Sequence, residues 1–321
     1  MNAFFKTAFA QAADGGVDVA TARQLFTGAE IGLRELMAAA AHAAAMAGKQ
    51  AFTCGIVNAK SGRCQENCAF CAQSAHHRTD APVHPLLDRE EMLRRAERLS
   101  CAGADYMGMV TSGTGPDARD FDNLCEIAAA VRKLFGLKLC ASLGLLDREQ
   151  ALRLKQAGFA SYHHNLETAA SFYPEICSSH PYRLRVETVR AAKAAGLRTC
   201  AGGIFGIGEN WEQRIELSAL LRELDVDSIP ANFLTAVPGT PLEHTPPLEP
   251  GEALAILAML RLMHPGRDIV VCGGRTACLG RYDTLIFAAG ANGMMIGDYL
   301  TTRGGALAAD RELLDVLGRR A

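Results

Sequence analysis

The stretch at residues 137–165, LKLCASLGLLDREQALRLKQAGFASYHHN, decides the fold. Two short β-prone runs, 137–144 and 159–165, flank an amphipathic run, 147–158, that stops at Gly158. Gly at that place reads as a helix C-cap just before a strand, so the stretch is a strand–helix–strand unit. The same rhythm continues on both sides. Strand candidates recur at 51–58, 104–110, 197–205, 227–234, 268–274 and 291–297. Amphipathic runs lie between them at 88–103, 183–196 and 249–266. Strands alternating with helices imply a parallel sheet. Eight such units in roughly 250 residues match the size of a closed (β/α)8 TIM-type barrel, an α/β fold. An open doubly wound sheet would show a Gly-rich phosphate turn after its first strand, and none follows 51–58. Residues 1–50 are Ala-rich and read as a helical extension ending near Gly48. The expected organisation is an N-terminal helical extension (1–50), a barrel (51–305) and a C-terminal helix (306–321).

Composition narrows the class of function. Of 321 residues, 49% are hydrophobic and 21% charged, enough apolar material for one large globular core. The net charge of −2 carries no basic excess, so nucleic acid is not the expected partner and the substrate is expected to be small. The N-terminal residues lack a secretory signal pattern, and no apolar run approaches the ~20 residues needed to span a bilayer. A cytoplasmic protein without a membrane partner is expected.

Eleven cysteines are many for such a chain, and metal binding or catalysis explains them better than disulfides. Cys64, Cys68 and Cys71 fall within SGRCQENCAFCAQSAHH, residues 61–77, in the spacing C-x3-C-x2-C. They follow the first strand, at the end where a barrel carries its active site. Thiolates suit zinc or an iron–sulfur cluster. A zinc site would need His76 or His77 as the fourth ligand, because no second C-x2-C pair follows. Three thiolates on a cubane cluster leave one iron free to bind a small molecule. Cys140, Cys200 and Cys272 lie on separate strand candidates, with Arg275 three residues after Cys272. Their positions allow a second cluster inside the barrel. Cys278 ranks below them because it lies toward a helix start. Cys54, Cys101, Cys125 and Cys177 are expected to be small buried apolar residues.

The C-x3-C-x-(aromatic)-C motif, with Phe70 before Cys71, resembles the radical S-adenosylmethionine superfamily. Further motifs narrow the resemblance: YHHNLET (162–168), CAGGIFGIGE (200–209), VPGTPL (237–242) and AAGANGMMIGDYLTT (288–302). Together, over about residues 50–303, they resemble the biotin synthase family. The resemblance implies a [4Fe–4S] cluster on Cys64, Cys68 and Cys71, whose open iron chelates S-adenosylmethionine and whose electron yields a 5′-deoxyadenosyl radical. It implies sulfur insertion between C6 and C9 of dethiobiotin, with sulfide from an auxiliary iron–sulfur cluster (2Fe–2S or larger). It assigns Cys140, Cys200 and Arg275 to that cluster. The familiar family pattern has another cysteine on the second strand, whose matching place falls near Met107, a poor ligand for iron beside thiolates. Cys272 stands where the familiar form has none. A ligand moved from one strand to another resembles a variant, type II, branch.

The resemblance also places Asn165 and Glu167 at the nucleoside ribose, two apart on a strand and so facing one way. It places Arg185 at the methionine carboxylate, Asn232 at the ureido ring of dethiobiotin, and Phe70 beside the adenine. Gly202, Gly203 and Ile204 supply close backbone approach to the adenine, and Glu209 caps or orients that loop. Implied partners are an electron donor such as flavodoxin or ferredoxin, the iron–sulfur assembly machinery and a second copy in a homodimer. Two other readings remain open at this point. One is another radical enzyme of the same branch, such as a hydrogenase maturase or a methylornithine synthase. The other is a non-enzymatic iron–sulfur carrier.

Overall fold

A computed structural model of the chain describes residues 3–28, 31–301 and 307–316. The strands are β1 (Phe52–Lys60), β2 (Tyr106–Thr111), β3 (Lys138–Ser142), β4 (Ser161–His163), β5 (Arg198–Cys200), β6 (Gly203–Phe205), β7 (Ser228–Phe233), β8 (Asp268–Val271) and β9 (Gly293–Met295). All pairings between these strands are parallel, in the order β5-β4-β3-β2-β1-β9-β8-β7-β6, and a β5–β7 pairing closes the ring. The expected strand at 197–205 is therefore one barrel strand broken into β5 and β6. The break lies at Ala201–Gly202, where the backbone has no room to continue flat. A Cβ on Gly202 would lie 2.0 Å from the Pro230 carbonyl oxygen, and one on Gly203 would lie 2.6 Å from that of Glu167.

The helices are α1 (Ala3–Ala13), α2 (Val19–Thr27), α3 (Leu33–Met46), α4 (Arg89–Cys101), α5 (Ala118–Phe135), α6 (Arg148–Ala157), α7 (Tyr173–Ile176), α8 (Tyr182–Ala194), α9 (Trp211–Glu223), α10 (Pro250–Met263), α11 (Arg275–Leu279) and α12 (Leu307–Val316). Local chemistry sets their ends. Asp147 accepts from Gln150 N at the start of α6, and Gly158 takes the left-handed conformation at its end. Two apolar clusters pack between the sheet and the helix layer, one over β1–β3 and one over β6–β9 with α9 and α10. The helical extension covers α10: Leu36, Ala39, Ala40 and Ala43 share its core. Arg261 of α10 is fully buried and bonds backbone carbonyls and Asn292 Oδ1 at the barrel floor. The boundary placed at 305/306 lies outside the described residues. No described helix is long and apolar enough to cross a membrane.

The tight crossing at Gly202 makes a specific demand on stability. Gly202→Ala should destabilise the fold by about 3 kcal/mol through overpacking. Gly266→Ala, where nothing lies within 4 Å of the added Cβ, should change little. Paired thermal unfolding curves check this, and equal curves would show that the strand break needs no glycine.

Candidate active site in the barrel mouth

A cavity of about 460 Å³ opens at the C-terminal ends of the strands and runs into the barrel. Its walls follow from strand alternation. Cys54, Gly108, Cys140, Ser161, Cys200 and Ser228 point inward where many barrels carry larger branched side chains. Met107, beside Gly108, and Leu139 and Ala141, on either side of Cys140, point outward into the helix layer.

Cys64, Cys68 and Cys71 line the mouth of this cavity on the loop after β1. Backbone bonds hold the loop's shape. Cys64 N donates to Gln73 O at 3.0 Å, Ala75 N to Cys64 O at 2.7 Å, and Cys71 N to Cys68 O at 3.0 Å. Burial pushes the Cys71 thiol up to about 11, so deprotonation there calls for a bound cation. The rings of His76 and His77 bond backbone carbonyls instead, of Gln65 at 2.9 Å and of Cys68 at 3.1 Å. Neither completes a zinc site. With neither histidine in the set, the three loop thiols fit a cluster with one open iron.

Asn165, Glu167 and Arg185 meet beside those thiols, but not as a strand pair. β4 ends at His163, and Glu167 has a left-handed backbone with φ 69°. Ile204 N bonds Glu167 O at 2.7 Å, which draws this loop onto β6. Arg185 is buried and ties the mouth together. It donates to Asn165 O at 3.0 Å, Glu167 Oε1 at 3.1 Å and the Tyr173 hydroxyl at 2.9 Å, and its Nη2 lies 3.8 Å from Cys68 Sγ. Burial raises the Glu167 carboxyl and the Arg185 charge opposes that rise. Among the described residues, Asn165 Oδ1, Glu167 Oε2 and His164 Nε2 are buried without a hydrogen-bond partner. Unpaired buried polar atoms at a cavity fit a polar ligand such as a nucleoside. Phe70 and Ile204 add apolar wall nearby. Glu209 stays behind the wall and accepts from Gly206 N and Ile207 N, orienting the loop. Asn232 lines the cavity, yet its amide bridges Gly203 O at 3.1 Å and Gly273 N at 3.0 Å.

Deeper in, four cysteines face one space: Cys54, Cys140, Cys200 and Cys272. Burial pushes Cys140 up to about 11 and Cys272 to about 12. Cys54 and Cys200 are raised well above the ordinary thiol range, by burial first and then by the neighbouring cysteines. Cys54 was expected to be inert core. Alternation from Phe52 on β1 could have placed it inside, since Phe52, Cys54 and Ile56 all line the cavity. Met107, the expected second-strand position, faces outward into the core. Gly108 holds the inward place and pairs in register with Cys140. Cys278 bonds Leu248 O at 3.2 Å, away from the cavity. Cys101 is exposed, Cys125 on α5 is partly buried, and Cys177 lies beside Cys68.

Arg275 does not reach the inner cysteines. It is 1% exposed, pairs with Asp283 at 3.0 Å and with Asp310 of α12, and fastens that helix to the barrel. The arginine inside the cavity is Arg198 on β5, which donates to the Tyr106 hydroxyl at 2.8 Å and to Asp268 at 2.7 Å. Its charge favours the thiolates of Cys140 and Cys200, opposing the effect of burial. His163 Nδ1 lies 3.4 Å from Cys200 Sγ. Arg275→Met should therefore cost about 3 kcal/mol of stability by stranding Asp310. The folded fraction should keep its full iron content. Iron loss from Arg275→Met without destabilisation would contradict this placement.

Comparison with known proteins agrees with this geometry. Residues 59–221 match the Radical SAM superfamily, and residues 230–320 match the Biotin and Thiamin Synthesis associated domain. Biotin synthase of Nitratidesulfovibrio vulgaris (strain DP4) is 61% identical over 274 residues, 85% of this chain and 76% of the relative. Biotin synthase of Syntrophus aciditrophicus is 51% identical over 261 residues, 81% of this chain and 80% of the relative. The crystal structure of methylornithine synthase (PylB) superposes with a TM-score of 0.84 at 22% identity, covering 98% of this chain and 96% of its own, which shows a shared fold. The chain belongs to the biotin synthase family of radical S-adenosylmethionine proteins.

Proposed function

We propose that the chain converts dethiobiotin to biotin by inserting sulfur between C6 and C9. The observation that carries this reading is two groups of cysteines facing one cavity, three at the mouth and four inside, with unpaired polar atoms at the mouth. Cys64, Cys68 and Cys71 would hold a [4Fe–4S] cluster, and Cys140, Cys200 and Cys272 an auxiliary cluster, with Cys54 as a fourth thiol. When bound, the first cluster supplies the electron that cleaves S-adenosylmethionine, and the second supplies the sulfur.

The chain's own residues bind, orient and exclude. Arg185 holds Glu167 and Asn165 so that their free oxygens face a ribose, and its position beside Cys68 suits the methionine carboxylate. Phe70 and Ile204 form the adenine side, and Gly202 and Gly203, which do not line the cavity, let the neighbouring strand and the Glu167 loop approach closely behind it. Asn232 has both ends of its amide engaged by backbone, so it would reach a ureido ring through its remaining lone pairs and protons. The mainly apolar wall keeps water from a carbon-centred radical. Arg198 would offset the charge of the inner thiols, the role expected of Arg275, while His163, which burial keeps neutral, would offer Cys200 a hydrogen-bond partner.

The family reading supports several partners: a flavodoxin or ferredoxin as electron donor, the iron–sulfur assembly machinery, and a second copy as a homodimer. All eleven cysteines are unpaired, which suits a reducing cytoplasm.

Cys68→Ala should abolish reductive cleavage of S-adenosylmethionine, measured as 5′-deoxyadenosine by chromatography. Cys272→Ala and Cys54→Ala should keep the first cluster and still cleave S-adenosylmethionine. Both should lose auxiliary iron, and biotin should fall at least a hundredfold. Normal biotin formation by the Cys272 variant would remove that residue from the sulfur-donor site.

A further inference from the structure

Cys177 is expected from sequence to be passive core, yet its Sγ lies 3.7 Å from Cys68 Sγ. The segment that carries it is pinned to the cysteine loop. Ala69 N donates to Ile176 O at 2.8 Å. Ser178 N and Ser179 N both donate to Asn67 Oδ1, at 3.0 and 3.1 Å, and Asn67 Nδ2 donates to Ser178 Oγ at 2.8 Å. These bonds hold the 177 thiol against Cys68, one of the three mouth cysteines.

The direction of the contact follows from its neighbours. Arg185 only donates, so the Tyr173 hydroxyl accepts from Arg185 Nε at 2.9 Å and passes its own proton to His180 Nε2 at 2.7 Å. His180 then carries its proton on Nδ1, which donates to Glu66 at 2.5 Å. Ser179 Oγ donates to Glu66 as well. Both groups near Cys177 Sγ, His180 Nδ1 at 3.6 Å and Ser179 Oγ at 3.4 Å, have thus given their protons to that carboxylate. With both thiols protonated Cys68 donates to Cys177; a Cys68 bound to iron as a thiolate has no proton to give, so its sulfur becomes the strongest acceptor left for the Cys177 S–H.

We propose that Cys177 is a positioning residue whose thiol donates a hydrogen bond to Cys68 Sγ and raises the reduction potential of the cluster held at the mouth. The inference rests on the ligand set Cys64, Cys68 and Cys71 given above. A donor at a ligand sulfur withdraws electron density and stabilises the more negative, reduced state. Arg185 Nη2, 3.8 Å from the same sulfur, acts in the same sense. Cys68 therefore has two donors at its sulfur, aligned by the Tyr173–His180–Glu66 chain.

The test is an EPR-monitored redox titration of the anaerobically reconstituted full chain, with cysteine, alanine and serine at position 177. Cys177→Ala should keep the parent's [4Fe–4S] signal but titrate at a more negative potential. Cys177→Ser, which keeps a donor, should stay near the parent. An unchanged potential in Cys177→Ala, an equal shift in both variants, or loss of the cluster from both would overturn the inference. A parent that forms no such cluster would remove the ligand assignment and this inference together. A parent that forms it while Cys177→Ala titrates unchanged would remove the inference alone.

Discussion

In a closed parallel barrel every second strand residue points inward, and the interior must be filled by side chains or by something bound. This chain places small and sulfur-bearing residues at those positions. Gly108 faces Cys140 across β2 and β3, and Cys54, Cys200 and Cys272 share the same space. Packing then leaves a cavity where another barrel would have a solid core. An open space lined by thiols that burial keeps protonated is a poor core. It suits a bound cluster whose irons deprotonate the ligands and fill the volume. The site is thus a consequence of what the strand pattern withholds from the interior.

The mouth obeys a different constraint. A buried arginine is costly unless its donors are satisfied. Arg185 meets this by bonding Tyr173, Asn165 and Glu167, which come from two other segments. Those bonds draw the loop after β4 over the cavity and bring the charge beside Cys68. The left-handed backbone at Glu167 is the local cost of this gathering, and glycine on the facing strand β6 makes room for it. Cluster ligands, carboxylate and strand break therefore depend on one another.

Much of this was legible in the sequence, because the two periods that build a barrel are local. Strand runs and Gly-terminated helices placed eight barrel strands, and C-x3-C-x2-C marked the mouth. Distances in space were less legible. Arg275 stands three residues from Cys272 but faces α12, because the chain turns into α11 directly after β8. Arg198 stands two residues from Cys200, on the same strand face, and reaches the interior. The second-strand place near Met107 is resolved only by strand phase: Tyr106, Gly108 and Val110 line the cavity, so the inward position there is Gly108. The same phase along β1 places Cys54 inside with Phe52 and Ile56. Cys177 lies 109 residues from Cys68, and no local pattern brings them together.

The central claim is that the inner thiols hold the sulfur that enters the substrate. The most direct measurement is to assemble the chain anaerobically with sulfur-34 sulfide and exchange away free sulfide. Dethiobiotin, S-adenosylmethionine and a reductant are then added, and the mass of the product is measured. The account predicts biotin carrying sulfur-34, up to one per chain, with none from the Cys272→Ala variant. Biotin containing only sulfur from solution, or S-adenosylmethionine cleavage with no biotin at all, would contradict it.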